Sequence, residues 1–141
     1  MKKVILDTNI ILRLIDRTAS EHVSSYSLVK RLIAENCEIC LIPQVLIEFW
    51  VVATRPPESN GFGWDPSFTM QEIDKLQNIF ILLPDNELIF NYWQKIVSKG
   101  VRGKRAHDAR IAAAALTHEV YAIATLNTQD FADFGINLIS V

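Results

Sequence analysis

Apolar residues recur along this chain in two rhythms that take turns. Short unbroken runs, such as Val4-Ile5-Leu6, Ile39-Cys40-Leu41-Ile42, Phe80 to Leu83, Tyr121 to Thr125 and Asn137 to Val141, have the length and composition of strands buried on both faces. Between them the apolar positions space out with the periodicity of helices. These segments are Asn9 to Arg17, Ser20 to Asn36, Pro43 to about Ala53, Asp85 to Ser98 and Ala106 to His118. Pro43 suits a first helical turn, and Arg55-Pro56-Pro57 stops that helix. Thr69-Met70-Gln71-Glu72 carries a capping-box signature for one further helix. Thr128 to Phe134 reads as one or two helical turns, with Gly135 as the stop. Residues 55–68, rich in Gly and Pro, form the one long irregular stretch, a length often used for lids or interaction surfaces.

Strand and helix in alternation predict a parallel sheet covered by helices on both faces. The expected fold is therefore a three-layer α/β/α sandwich with a central parallel sheet. With 141 residues, half of them apolar and about a fifth charged, a single domain over residues 1–141 with one core is expected.

A formal net charge of −2 argues against a protein that coats nucleic acid through bulk positive charge. Lys2-Lys3 precedes only three apolar residues, far short of a secretory core, and no run approaches the ~20 apolar residues of a membrane span. A cytoplasmic protein without membrane contact is expected. Cys37 and Cys40 form a C-x-x-C pair, but in an extended chain such positions stand ~10 Å apart and point to opposite faces. That exceeds disulfide reach, and the three scattered histidines complete no zinc set. Buried, inert thiols are the expectation.

Four carboxylates sit where an acid is costly or awkward. Asp7 ends the first apolar run. Glu48 interrupts Val45-Leu46-Ile47 and Phe49-Trp50-Val51-Val52. Asp108 opens an alanine-rich helix, and Asp130 follows Thr125-Leu126-Asn127-Thr128-Gln129. Each has a plain structural alternative: Glu48 an exposed stripe, Asp108 a favourable helix start, Asp130 a turn residue. Asp7 is the hardest to explain so, although Thr8 and Asn9 after it could cap the next helix. In an open parallel sheet ligands bind beyond the carboxyl ends of the strands, where Asp7 and Asp130 would lie. Ionised carboxylates brought together repel and demand a cation. Oxygen-only donors select Mg²⁺ or Mn²⁺, ions suited to phosphodiester hydrolysis; one ion or two is left open.

Leu6-Asp7-Thr8-Asn9, a helical Glu48, His107-Asp108-Ala109-Arg110-Ile111-Ala112-Ala113 and Thr125-Leu126-Asn127-Thr128-Gln129-Asp130-Phe131 together resemble the four motifs of PIN-domain ribonucleases, more narrowly the VapC-type toxins of toxin–antitoxin pairs. The resemblance implies a Mg²⁺- or Mn²⁺-dependent endoribonuclease in which Asp7, Glu48, Asp108 and Asp130 bind metal. It also implies that Thr8, Asn9, Thr125 and Asn127 shape the site by hydrogen bonds. RNA would be the substrate, a cognate antitoxin the partner, and a homodimer the assembly. Asp133 could replace Asp130 but lacks the Thr-x-Asn spacing.

Lys99, Arg102, Lys104 and Arg105, just before Asp108, would sit where flanking phosphates bind, or form an ordinary solvated loop. Among the tryptophans, Trp50 and Trp93 read as core, and Trp64 in the long loop as the candidate for an RNA or partner contact. Two other classes compete. One is a PIN-like domain that binds RNA or protein without cutting. The other is a haloacid-dehalogenase-type phosphatase, disfavoured because Asn9 stands where that chemistry wants a second Asp.

Overall fold

The computed structural model describes residues 1–141. Five strands, β1 (Lys3–Leu6), β2 (Glu38–Leu41), β3 (Ile81–Leu82), β4 (Ala122–Thr125) and β5 (Leu138–Ser140), form one sheet in the order β3-β2-β1-β4-β5. Every pairing is parallel, with Ile5 opposite both Cys40 and Ile123 at the centre. Val4, Ile5 and Leu6 have no exposed surface, which is why this strand reads as an uninterrupted apolar run. Six helices pack around the sheet: α1 (Thr8–Ile15), α2 (His22–Ala34), α3 (Pro43–Thr54), α4 (Pro66–Ile79), α5 (Leu88–Val97) and α6 (Arg105–Thr117). The expected α/β/α sandwich with a parallel sheet is the observed one.

Several boundaries move for identifiable reasons. Helix α1 is capped by Asp7, whose Oδ1 accepts from the Thr8 amide at 2.8 Å, so Thr8 and Asn9 lie inside the helix instead of capping it. Helix α4 starts three residues before the expected capping box. Asp65 Oδ1 accepts from the Phe68 amide at 2.8 Å and Pro66 takes the first turn, a stronger start signal than Thr69. Thr69 is a buried interior residue whose hydroxyl donates to the Asp65 carbonyl. At α5 the Leu88 amide donates to Asn86 Oδ1 at 2.9 Å; Asp85 does not cap, and pairs with Arg110 instead. Residues 128–131 make only a short 3-10 turn.

The irregular stretch after α3 is folded back onto that helix. The amides of Arg55, Phe62 and Trp64 donate to the carbonyls of Val51, Val52 and Ala53, satisfying groups a helix end leaves unpaired. Gly61 permits this closure, because a Cβ there would stand 2.0 Å from the Arg55 carbonyl oxygen. The fold-back gives the half-buried Trp64 a packing role. Its ring packs against the fully buried Phe49 and against Phe62 and Phe68, with centroids 6.2, 5.1 and 4.8 Å away. Trp50, expected in the core, is only half-buried and lies outside the core cluster, while Trp93 packs against it as expected. Trp64→Ala is expected to cost about 2–4 kcal/mol of stability, measured by urea unfolding. A loss under about 0.5 kcal/mol would mark Trp64 as a surface contact after all.

Cys40 is buried in β2 and its thiol is pushed up to about 11, first by burial and then by the nearby Glu38 carboxylate. Cys37 is half-buried just before the strand, and both thiols are free. An inert thiol at Cys40 is as expected; Cys37 is less buried than expected.

Candidate active site

The chain runs β1, β2, β3 outward to one side of the sheet, then returns to place β4 and β5 on the other. The order therefore reverses between β1 and β4, and the crevice beyond their carboxyl ends is where such sheets bind ligands. Asp7 follows β1 directly, and its amide donates to the carbonyl of Ala124 in β4 at 2.9 Å. Thr125 ends β4, and Asp130 lies in the turn beyond it. Glu48 reaches the crevice from α3 and Asp108 from the first turn of α6. The alanines of α6 give it close access to its neighbours: Ala109 and Ala112 to Ala115 are essentially fully buried.

Two of the four expected carboxylates, Asp7 and Asp108, respond to the charges of the others. Asp7 is raised to about 6, chiefly by burial, and also by Glu48 and Asp130. Hydrogen bonds from Thr125 and Thr8 oppose that rise. Asp108 is raised to about 7 by burial, then by Asp130, Asp7 and Glu48. The Arg105 guanidinium works in the opposite direction and is the weakest of these influences. Asp130 enters both balances and Asp133 enters neither, which favours Asp130 as the member of the set.

Hydroxyl and amide groups hold these carboxylates in place. Thr125 Oγ1 receives the Asn127 amide at 3.0 Å and Asn9 Nδ2 at 3.4 Å. With both lone pairs engaged, its own proton points to Asp7 Oδ2 at 2.8 Å. Asn9 Oδ1 accepts from the Leu126 amide at 3.3 Å, tying α1 to the end of β4. Thr8 Oγ1 donates to Glu48 Oε2 at 3.1 Å. Thr8 and Thr125 thus meet the carboxylates through side chains, and Asn9 acts one step away, through Thr125. Asn127 contributes its backbone amide, and its side chain is exposed.

Two residues given no role from the sequence belong to the same network. Gln44 Nε2 donates to Glu48 Oε1 at 2.9 Å and to the His107 carbonyl at 2.8 Å. Arg110 Nη1 donates to Gln44 Oε1 at 3.1 Å. The four-residue spacing of Gln44 and Glu48 on one helix was a readable signal. Of the basic loop, Arg102 and Lys104 are exposed. Arg105 is engaged, donating to the Ala132 carbonyl at 2.9 Å and lying over the Phe134 ring at 4.7 Å.

The donor chemistry fits a hard divalent cation, because the set is all oxygen and a cation would offset the carboxylate repulsion that helps raise Asp7 and Asp108. No three His, Cys, Asp or Glu side chains close into a cage about one point.

A family model described as the PIN domain matches residues 4–137. The chain belongs to the PIN domain family. No curated protein matches it in a sequence comparison. Among solved structures, VapBC2 from Rickettsia felis, bound to a DNA fragment from its promoter, is similar at 18% identity and a TM-score of 0.73, covering 99% of this chain and 98% of that one. VapBC-1 from nontypeable Haemophilus influenzae is similar at 20% identity and a TM-score of 0.72, covering 98% and 97%. Mycobacterium tuberculosis VapC20, described as a sarcin-ricin loop cleaving toxin, is similar at 16% identity and a TM-score of 0.67, covering 98% of both chains. At these identities the likeness establishes the fold that this PIN domain shares with them.

Proposed function

We propose that this PIN domain, acting as one domain over residues 1–141, is a Mg²⁺- or Mn²⁺-dependent endoribonuclease and the toxin of a toxin–antitoxin pair. The observation that carries this reading is the convergence of four carboxylates on the crevice where the sheet order reverses, with Asp7 and Asp108 raised by burial and by the charges of the others. These four would hold the cation, which when bound would supply a nucleophilic water and offset charge on the scissile phosphate. The chain's own work is positioning. Thr125 and the Thr8 amide fix the two oxygens of Asp7, Thr8 and Gln44 fix those of Glu48, and the buried floor of the crevice keeps the charges poorly screened. RNA phosphates on either side would meet Lys99, Arg102 and Lys104.

The partner in this reading is an antitoxin that lays a peptide across the groove. The fold's appearance in VapBC structures supports that partner. A second copy would cover Ile47 and Val51, which α3 leaves exposed. No helix of the structure is long and apolar enough to cross a membrane, and the reading places the protein in the cytoplasm. The second reading is a PIN domain that binds RNA or protein without cutting, favoured by the absence of a closed carboxylate cage.

The test is cleavage of RNA by the purified protein with Mg²⁺ or Mn²⁺. Cutting that stops with EDTA is expected. Cutting that persists with EDTA would refute metal dependence, and RNA bound but never cut with either ion would favour the second reading. Converting Lys99, Arg102 and Lys104 to Gln is expected to make the salt dependence of RNA binding shallower by up to about 2 in log–log slope, from three lost phosphate contacts. Arg105 is left intact because it also supports the fold. An unchanged slope would show these residues to be a solvated loop.

A further inference from the structure

Gln44 is nearly buried, with 9% of its surface exposed, and its amide has only one orientation available. The His107 carbonyl can only accept, so the atom facing it is nitrogen. The Arg110 guanidinium can only donate, so the atom facing it is oxygen. These two partners lie on α6, and they aim the remaining Gln44 N–H at Glu48 Oε1. Arg110 is itself placed by Asp85, with Nη2 at 3.5 Å from Oδ1. A connected chain, Asp85–Arg110–Gln44–Glu48, thus runs from the loop before α5 into the carboxylate set. It also pins α3 to the peptide group just before Asp108, so the two helices that carry Glu48 and Asp108 are registered through one side chain. Thr8 holds the other Glu48 oxygen, so each oxygen takes one donor and keeps a lone pair free.

We propose that Gln44 is a positioning residue for Glu48, and that Arg110 acts on Glu48 through Gln44. The consequence for cleavage rests on the nuclease reading; the consequence for the Glu48 side chain does not. The geometry assigns Gln44 two separable properties, its bulk and its two donated hydrogen bonds. Gln44→Glu keeps the bulk and the Arg110 partner but removes both donors and sets a carboxylate against Glu48. Gln44→Met keeps much of the bulk and removes every hydrogen bond. Arg110→Met touches no carboxylate of the set yet frees the Gln44 amide to turn.

The experiment has two arms on the full chain. In the first, protein labelled with carboxyl-¹³C glutamate is studied without metal at fixed pH, and the Glu48 resonance is assigned by its loss in Glu48→Gln. The resonance is expected to move in Gln44→Met and in the same direction in Arg110→Met. A Glu48 resonance that stays put in Arg110→Met overturns the chain of action. In the second arm, cleavage kinetics follow the same variants, with thermal melting to confirm folding. Gln44→Met and Gln44→Glu are each expected to lower kcat by ~10–100-fold, with KM within about threefold of wild type. The Gln44→Met/Arg110→Met double variant is expected to lose no more than Gln44→Met alone. Losses that multiply, or a Gln44→Glu variant with wild-type kcat, overturn the proposal. If the wild type cuts no RNA, the nuclease reading fails and the first arm still decides whether Gln44 positions Glu48.

Discussion

Asp7→Asn is expected to lower RNA cleavage by ~100-fold or more while the protein stays folded. The substitution keeps the shape of the side chain at the end of β1 and removes its charge. It also exposes a constraint in the surrounding bonds. Asp7 accepts from two donors, the Thr8 amide and the Thr125 hydroxyl. An asparagine has one acceptor oxygen. Thr125 cannot simply reverse its role, because both its lone pairs already receive Asn9 and Asn127. One hydrogen bond is lost, at about 1 kcal/mol. Against that loss, a buried carboxylate repelled by Glu48 and Asp130 disappears. The two effects oppose, so metal-free stability near neutral pH is expected to change by no more than about 1–2 kcal/mol. Activity retained within a few-fold would remove Asp7 from the chemistry, and a variant unfolded at room temperature would make its role structural.

The second large effect is on stability against pH in the metal-free protein. Asp7 and Asp108 are raised in the folded state, to about 6 and about 7. Between the ordinary carboxylate range and those values the folded protein holds more protons than the unfolded chain. Stability therefore falls as pH rises. The contribution is full below about pH 4; most of the Asp7 part is gone by about pH 7 and most of the Asp108 part by about pH 8. For the buried Asp7 the rise to about 6 corresponds to about 3 kcal/mol at most. Asp108 is better solvated and adds less than its own shift implies. Asp16 and Glu21 are lowered, chiefly by hydrogen bonds from Thr18 and from Arg13, and act in the opposite sense, but only below the usual carboxylate range and on exposed side chains. Urea melts in EDTA at pH 5, 6 and 7.5 are expected to show decreasing stability. Mn²⁺ is expected to reverse the trend, stabilising more at pH 7.5 than at pH 5 because protons compete for the same oxygens. Metal-free stability that climbs from pH 5 to 7.5 would contradict the crowding of these carboxylates.

Much of this arrangement is legible in the residues, for local reasons. Asp7 stands out because a charge at the end of a buried strand is costly, even where it also caps the following helix. Glu48 stands out because it breaks an apolar helix. The parallel sheet follows from unbroken apolar strands that alternate with helices. What escaped the sequence depends on long-range packing or on competition between signals. Gln44 and Arg110 are 66 residues apart, and nothing local says that the starts of α3 and α6 meet. Asp65-Pro66 and Thr69-Glu72 both announce a helix start, and the earlier pair wins because its cap bond forms. Trp64 and Trp50 are both half-buried, and it is Trp64 that packs against the core. A loop residue gains core contacts when its backbone satisfies the helix end it folds onto. Arg105 reads as one more charge in a basic loop until the turn after β4 supplies Ala132 and Phe134 as its neighbours.

The claim at the centre is that Asp7, Glu48, Asp108 and Asp130 act as one cation site. Calorimetric titration with Mn²⁺ at pH 7.5, on the wild type and on Asp7→Asn and Asp108→Asn, tests it most directly. Saturable binding by the wild type, weakened at least ~10-fold in each variant, is the expected result. Wild-type protein that binds no Mn²⁺ saturably, or variants that bind it equally well, would contradict the claim.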